Sequence, residues 1–373
     1  MSRSDYWVAP EVRSSKVSRT VRGMEQFLLD NAARHQLLIS RLKPPKKTKV
    51  TYEASNITVA ARVRPMLEHE TSSGQVVAVY PRVDDSGVVD LHDLRRVFGP
   101  NDPTESIYES TVYPLIPWAW EGNVGTFFAY GQTGSGKTFS IGGIERLVAE
   151  ALFDGTLPGE RTIHAAFFEL AGNSAFDLLS SRASFPILED NLGRTQLVGI
   201  REHNVRNKED LLAFTEEASK LRQTAPTTKN DGSSRSHGIC RIRIEDPSSE
   251  TAGDGVLYLI DLAGSEAARD LASHSSERMK ETREINISLS VLKDCIRGIA
   301  DADSTKSSKK PYIPFRQSML TKVLKHVFDP LESRKCKTTV LACINPSLLD
   351  TGASKNTLRY AEMLCGPKSA LSR

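Results

Sequence analysis

Little in the sequence would cross-link the chain covalently or carry it through a membrane. Its 373 residues include five cysteines (Cys240, Cys295, Cys336, Cys343 and Cys365), an odd number with no C-x-x-C spacing. Neither a disulfide framework nor a zinc site is therefore expected, and a reducing compartment is the default. No apolar run approaches the roughly 20 residues needed to cross a bilayer, and the polar N-terminus has no signal-peptide core. Excess charge is missing too. The 49 Lys and Arg against 46 Asp and Glu leave a formal charge of +3, too small for a nucleic-acid partner to be inferred from the total. No heptad pattern persists, so no coiled-coil dimeriser is expected and the oligomeric state stays open. What remains, with 39% hydrophobic and 25% charged residues, is an ordinary globular composition that excludes a disordered or collagen-like chain.

Three segments are expected: a basic, partly helical leader over 1–55, a large core over 56–363 and a short tail over 364–373. In the leader, Met24, Phe27, Leu28, Ala32, Leu38, Ile39 and Leu42 are spaced like one helix face, and Pro44-Pro45 ends it. In the core, Ile57–Val63, Gly125–Tyr130, Ala165–Leu170, Val256–Ile260 and Lys337–Ile344 read as strands, and Arg96–Phe98 as a short one. Helical spacing covers Lys208–Leu221, Met279–Ala300 and Leu320–Phe328, with Asp301–Lys310 an exposed loop. Strands alternating with helices, without a repeat, predict one α/β domain around a central sheet.

The densest chemistry is Gly131-Gln132-Thr133-Gly134-Ser135-Gly136-Lys137-Thr138, directly after an apolar strand. Glycines let backbone N–H groups curl around phosphate oxygens, and the following helix N-terminus favours anions. Lys137 would supply charge to the β- and γ-phosphates, and the Thr138 hydroxyl suits Mg2+. A nucleoside triphosphate is the expected ligand. Asp261-Leu-Ala-Gly264-Ser-Glu266 follows another apolar strand. Its acid is placed to hold a Mg2+-bound water, and Gly264 can offer its N–H to a γ-phosphate without Cβ interference. A third segment, Asn230-Asp-Gly-Ser233-Ser234-Arg235-Ser236-His237, packs hydroxyls beside one arginine, and Arg235 could close an ion pair with Glu266 over the nucleotide.

These three segments, in this order, resemble the nucleotide-sensing loops of the kinesin motor domain. Arg62-Val-Arg64-Pro65, Ile285-Asn286-x-Ser288-Leu289 and Asn356-Thr-Leu-Arg-Tyr-Ala361 add to the resemblance, which covers about residues 56–363. It implies a P-loop fold with a mixed eight-stranded sheet flanked by three helices on each face, and ATP hydrolysis coupled to microtubule binding. ATP and Mg2+ are the implied cofactors, tubulin the implied partner, and the cytoplasmic microtubule cytoskeleton, including the spindle, the implied location. By the same resemblance Arg64, Pro65 and Tyr108 would frame adenine, Thr138 and Ser234 would ligate Mg2+, and Ser233 with the Arg235–Glu266 pair would position the attacking water.

The resemblance also implies a tubulin face containing Asn286, the lysines Lys306, Lys309 and Lys310, and Arg316. Ile287 and Met319 stand where the family often carries lysine. Segments such as Phe176-Asp-Leu-Leu179, Leu292-Lys-Asp-Cys-Ile-Arg297 and Pro314-Phe-Arg316 are most similar to the internal-motor kinesin-13 class, which acts at microtubule ends. A finger of that class would correspond here to Val89-Asp90-Leu91, without its preceding lysine. Alternatives are a kinesin that translocates along microtubules, or a tubulin-binding module with weak ATPase.

Overall fold

The computed structural model describes residues 27–34, 37, 41, 57–79, 96–191, 193–223, 235–248, 253–265, 276–304, 312–328 and 334–364. The chain forms two compact units, Met1–Lys43 and Pro44–Arg373. In the first, residues 27–30 and 32–34 are helical within the segment whose spacing predicts a helix.

The second unit is built on strands β1 (Ile57–Val63), β2 (Arg96–Phe98), β3 (Val124–Tyr130), β4 (Thr162–Ala171), β5 (Ser174–Asp177), β6 (Ala183–Phe185), β7 (Ile187–Glu189), β8 (Thr195–Leu197), β9 (His203–Val205), β10 (His237–Glu245), β11 (Gly255–Asp261) and β12 (Cys336–Ile344). Its helices are α1 (Glu68–Ser72), α2 (Thr104–Thr111), α3 (Leu115–Trp120), α4 (Lys137–Leu152), α5 (Lys208–Gln223), α6 (Ser276–Ser304), α7 (Met319–Val323), α8 (Lys325–Phe328) and α9 (Thr351–Leu364). Ten strands form one mixed sheet in the order β2-β1-β12-β3-β11-β10-β4-β5-β6, with β9 also pairing β4; β7 and β8 form a separate hairpin. β1, β2, β12, β3 and β11 run parallel, whereas β10 is antiparallel to both β11 and β4.

β3 sits mid-sheet, buried along its whole length. That is the environment a continuous apolar strand requires, because both faces are covered. Alternate side chains enter two cores. Phe127 and Ala129 join Ile107, Ile116, Ile144 and Leu211 from α2–α5. Phe128 and Tyr130 join Leu289, Leu292, Leu320 and Tyr360 from α6–α9. Full burial of a Phe side chain contributes about 1.5–3 kcal/mol, and Phe127 and Phe128 are 0% and 1% exposed.

The sheet is mixed and covered on both faces as expected, but the details differ. Ten strands replace eight because three- and four-residue segments, too short to show a period, extend the β4 edge. Each face carries four helical segments among the described residues rather than three. The Leu320–Phe328 helix breaks at Leu324 into α7 and α8, and Asp301–Ser304 continue α6 instead of opening a loop. Ser318 caps α7, its hydroxyl accepting from the Thr321 N–H at 3.1 Å.

His326 on α8 stacks on Tyr258 with centroids 4.9 Å apart and lies 3.0 Å from the Thr126 hydroxyl. Burial, with the charge of Arg334, pushes it down to about 3. A group depressed in the folded state stabilises above its unfolded pKa near 6.5, and that contribution is lost as pH falls toward 3. His237 is depressed likewise, so each contributes a slope of up to about 1.4 kcal/mol per pH unit between pH 6.5 and 5. Glu145, raised by burial to about 8, acts with the opposite sign over the same window. His326→Gln is therefore expected to be closer to wild-type stability at pH 5 than at pH 7 in urea titrations. A constant difference between the two proteins would count against a buried neutral imidazole.

Candidate nucleotide site

The parallel strands end together. Val63 of β1 pairs Ile344 of β12, Ala342 pairs Tyr130 of β3, and Asp261 of β11 pairs Ala129. Antiparallel β10 starts at the same edge, with Gly238 opposite Asp261. Ligands of open α/β sheets bind outside the carboxyl ends of the strands, and every described member of the site lies there.

The loop after β3 is shaped by its glycines. A Cβ on Gly131 would lie 2.3 Å from the Cys343 carbonyl oxygen and 2.6 Å from Ser135 Oγ, so the loop leaves β3 in contact with β12. Gly134 and Gly136 take φ of +74° and +93°, and Gly136 precedes the first residue of α4. Lys137 is buried, its Nζ donating to the Gly131 and Gln132 carbonyls at 2.9 Å each. Thr138 Oγ1 donates to Asp261 Oδ2 at 2.7 Å. The Ser265 N–H donates to the Gly131 carbonyl at 3.1 Å, which fastens the segment holding buried Gly264 to the phosphate loop.

Arg222, at the end of α5, closes the other side. Its Nη1 donates to Asp261 Oδ2 at 2.7 Å and its Nη2 to the Ser236 carbonyl at 2.6 Å. Asp261 Oδ1 and the Ser135 hydroxyl are buried without a hydrogen-bond partner among the described residues. An uncommitted carboxylate oxygen beside a threonine hydroxyl is an oxygen donor set that fits Mg2+. Thr138, Asp261, Arg222 and Glu145 also line a cavity of about 320 Å³ between α4 and α5.

Two expected adenine contacts are corrected. Arg64 is buried and committed elsewhere: it makes a two-armed ion pair with Glu70 and donates to the Gly134 carbonyl at 2.6 Å. It braces the phosphate loop and is no wall for a base. That pair, with the Leu67 N–H at 2.8 Å from Glu70 Oε2, holds the Glu70 carboxyl below its ordinary range. Tyr108 lies in the α2–α5 core, where burial with Tyr113, Asp154 and Glu150 raises its hydroxyl. Glu150 and Asp154 stand at the far end of α4, so Tyr108 is remote from the loop. The exposed aromatic surface beside the loop belongs instead to Phe139, which is 70% exposed, with the Arg62 guanidinium 5.0 Å from its ring centroid. Pro65 is exposed as well.

Because a buried ion pair that loses one partner leaves an uncompensated charge, Glu70→Ala is expected to destabilise the fold by about 3 kcal/mol. Chemical denaturation measures this, and a change under about 1 kcal/mol would show that Arg64 finds water instead.

Arg235 is half-buried just before β10, but Ser233, Ser234 and Glu266 lie outside the described residues, as do Lys306, Lys309, Lys310 and Val89-Asp90-Leu91. Asn286 is half-buried on α6. Arg316 is exposed and paired in two-armed fashion with Glu189 of β7 at 2.8 and 2.9 Å. His237, Arg222 and Phe139 were not singled out as site residues from the sequence. His237 closes the Asn230–His237 motif and Arg222 opens an Arg222-Gln-Thr224 segment that resembles the kinesin-13 class, whereas Phe139 carries no local signal.

A strand, a glycine cradle with Lys137 and Thr138, and an aspartate at the tip of the neighbouring strand define a P-loop nucleoside-triphosphatase. Residues 41–365 match the kinesin motor domain. The chain is 37% identical over 331 residues to diatom spindle kinesin-1 of Cylindrotheca fusiformis, covering 83% of this chain and 50% of that protein. It is 35% identical over 337 residues to kinesin-like protein KIF24 of Mus musculus, covering 83% of this chain and 24% of that protein. Among solved structures, a two-heads-bound KIF14 dimer with AMP-PNP in complex with a microtubule superposes with a TM-score of 0.68 at 28% identity, covering 83% and 93% of the two chains. A fast kinesin gives 0.70 at 26% identity, covering 85% and 96%. The chain belongs to the kinesin motor-domain family, a class of microtubule-stimulated ATPases. It spans half or less of the length of these curated relatives.

Proposed function

We propose that this chain binds Mg-ATP, hydrolyses it in response to microtubules, and acts at microtubule ends in the manner of the kinesin-13 class. The observation that carries the ATPase reading is the junction of Lys137, Thr138, Asp261 and Ser265 at one edge of the sheet. In it, the Gly131–Thr138 backbone and Lys137 hold the phosphates, while Phe139 and Pro65 flank the base. Thr138, Ser234 and, through water, Asp261 hold Mg2+, which supplies neutralisation of phosphate charge. Gly264 reports the γ-phosphate by its N–H, and Ser233 with the Arg235–Glu266 pair positions the attacking water. Such chemistry is mostly positioning and charge stabilisation, so loop closure around the phosphates can be tied to movement elsewhere.

The tubulin face comprises Asn286, the lysines Lys306, Lys309 and Lys310, and Arg316, on the microtubule cytoskeleton of the cytoplasm. The layout of a basic leader over 1–55 and a motor over 56–363 belongs to the same proposal. Action at ends is supported by the kinesin-13-like segments spread over the core, with Val89-Asp90-Leu91 as the finger. The test combines ATP turnover with and without microtubules and direct observation of stabilised microtubules. Turnover stimulated by microtubules, with ends shortening faster in ATP than without it, is expected. Directional gliding without shortening would replace end action by translocation, and binding without stimulated turnover would leave a tubulin-binding module.

A further inference from the structure

A buried histidine links the γ-phosphate loop to the long helix by a chain of hydrogen bonds whose directions are all determined. His237 opens β10 and is 3% exposed. Its Nδ1 lies 3.1 Å from the Ala263 N–H, which donates to it. A ring nitrogen that accepts carries no proton, so the neutral ring bears its hydrogen on Nε2. Nε2 lies 2.9 Å from the Ser288 hydroxyl of α6, and that hydroxyl in turn donates to the Ile285 carbonyl at 2.7 Å. Burial, together with the charges of Arg222 and Lys137, keeps the ring unprotonated. A protonated ring would lose the acceptor on which the Ala263 N–H depends.

The two ends of the chain matter for what lies beside them. Ala263 immediately precedes Gly264. Ser288 is buried one turn of α6 beyond Ile285, next to exposed Ile287 and half-buried Asn286. We infer that His237 is a positioning residue that fixes the Gly264 loop against α6, so that a nucleotide-driven shift of the loop and a shift of the helix occur together. A buried polar group is costly to leave unpaired. The loop therefore cannot move away from His237 without either drawing the ring and Ser288 along or leaving two buried groups unpaired. No other link of this kind between the Gly264 loop and α6 is present among the described residues.

The inference rests on the reading of the site as an ATPase, and its test separates the two. Wild type is compared with Ser288→Ala, which removes the far end of the chain without touching the phosphate loop, and with Ser288→Thr, which keeps a hydroxyl. Hydrogen exchange at the amides of Ile285–Leu289 is followed on adding a nonhydrolysable ATP analogue, without microtubules. Exchange is expected to slow in wild type and Ser288→Thr, with no response in Ser288→Ala although the analogue still binds. Microtubule-stimulated turnover of Ser288→Ala is expected to fall about fivefold, with basal turnover and the KM for ATP within twofold of wild type. The exchange response decides the link whatever microtubules do. An equal response in wild type and Ser288→Ala, or none in wild type that binds the analogue, overturns it. Wild type that microtubules do not stimulate overturns the functional reading alone.

Discussion

Lys137→Ala is expected to weaken ATP binding by about 10²- to 10³-fold and to abolish measurable turnover. The Lys137 ammonium is buried at the first turn of α4, donating to the Gly131 and Gln132 carbonyls at 2.9 Å. With phosphates in the cradle, the same charge meets oxygens that bear a full negative charge. Hydrogen bonds to charged groups contribute about 1.5–3 kcal/mol each, and about 1.4 kcal/mol is tenfold in affinity. One or two such contacts give the stated range. The folded state should lose little, because the Gly131 and Gln132 carbonyls keep the Ser265 and Ser135 N–H groups as donors at 3.1 and 3.2 Å and no partner charge is stranded. Titration with a fluorescent ATP analogue beside a thermal melt checks both halves. Lys137→Arg should fare little better, since a planar guanidinium in a space shaped for an ammonium is not a conservative exchange. Wild-type affinity in Lys137→Ala would mean that the backbone cradle alone holds the phosphates.

How much of this was legible depends on how far apart the interacting residues stand in the chain. β1 has the bounds its composition predicts, and β3, β11, β12 and α5 begin or end within two residues of expectation, since each is a continuous apolar or periodic run. β10 was not read as a strand. Its Arg241 and Arg243 alternate with buried Ile242 and Ile244, so the run is not continuously apolar, and both pair with Glu202, a residue outside the strand. The break between α7 and α8 is also invisible in a pattern that stays apolar across Leu324. At the site, the phosphate loop and Asp261 were readable because each motif is contiguous and follows a strand. The links that organise the site are not contiguous: Arg64 reaches Gly134 across 70 residues, Arg222 reaches Asp261 across 39, and His237 reaches Ser288 across 51. A sequence motif marks Arg64 as important but does not say that its guanidinium is spent on Glu70.

The same loop offers a second large effect, and a sharp contrast between two of its glycines. Gly131→Ala is expected to destabilise the domain by about 3 kcal/mol and to remove nucleotide binding, whereas Gly134→Ala should cost about 1–2 kcal/mol and leave weakened binding. At Gly131 the difficulty is space. The added Cβ would stand 2.3 Å from the Cys343 carbonyl oxygen and 2.6 Å from the Ser135 hydroxyl. The carbonyl belongs to β12, which pairs with β1 on one side and β3 on the other, so it cannot yield without disturbing both ladders. Overpacking of a rigid site typically costs 1–3 kcal/mol, and here the alternative is for the loop to lift from the sheet, carrying the Lys137 and Ser265 contacts with it. At Gly134 nothing lies within 4 Å of the added atom, and the cost comes from a φ of +74°, about 1–2 kcal/mol for an L-residue. Denaturant midpoints and ATP titrations of the two variants, run side by side, test the ordering. Gly131→Ala that binds ATP as wild type does would show that the loop can leave β12 and still close on phosphate.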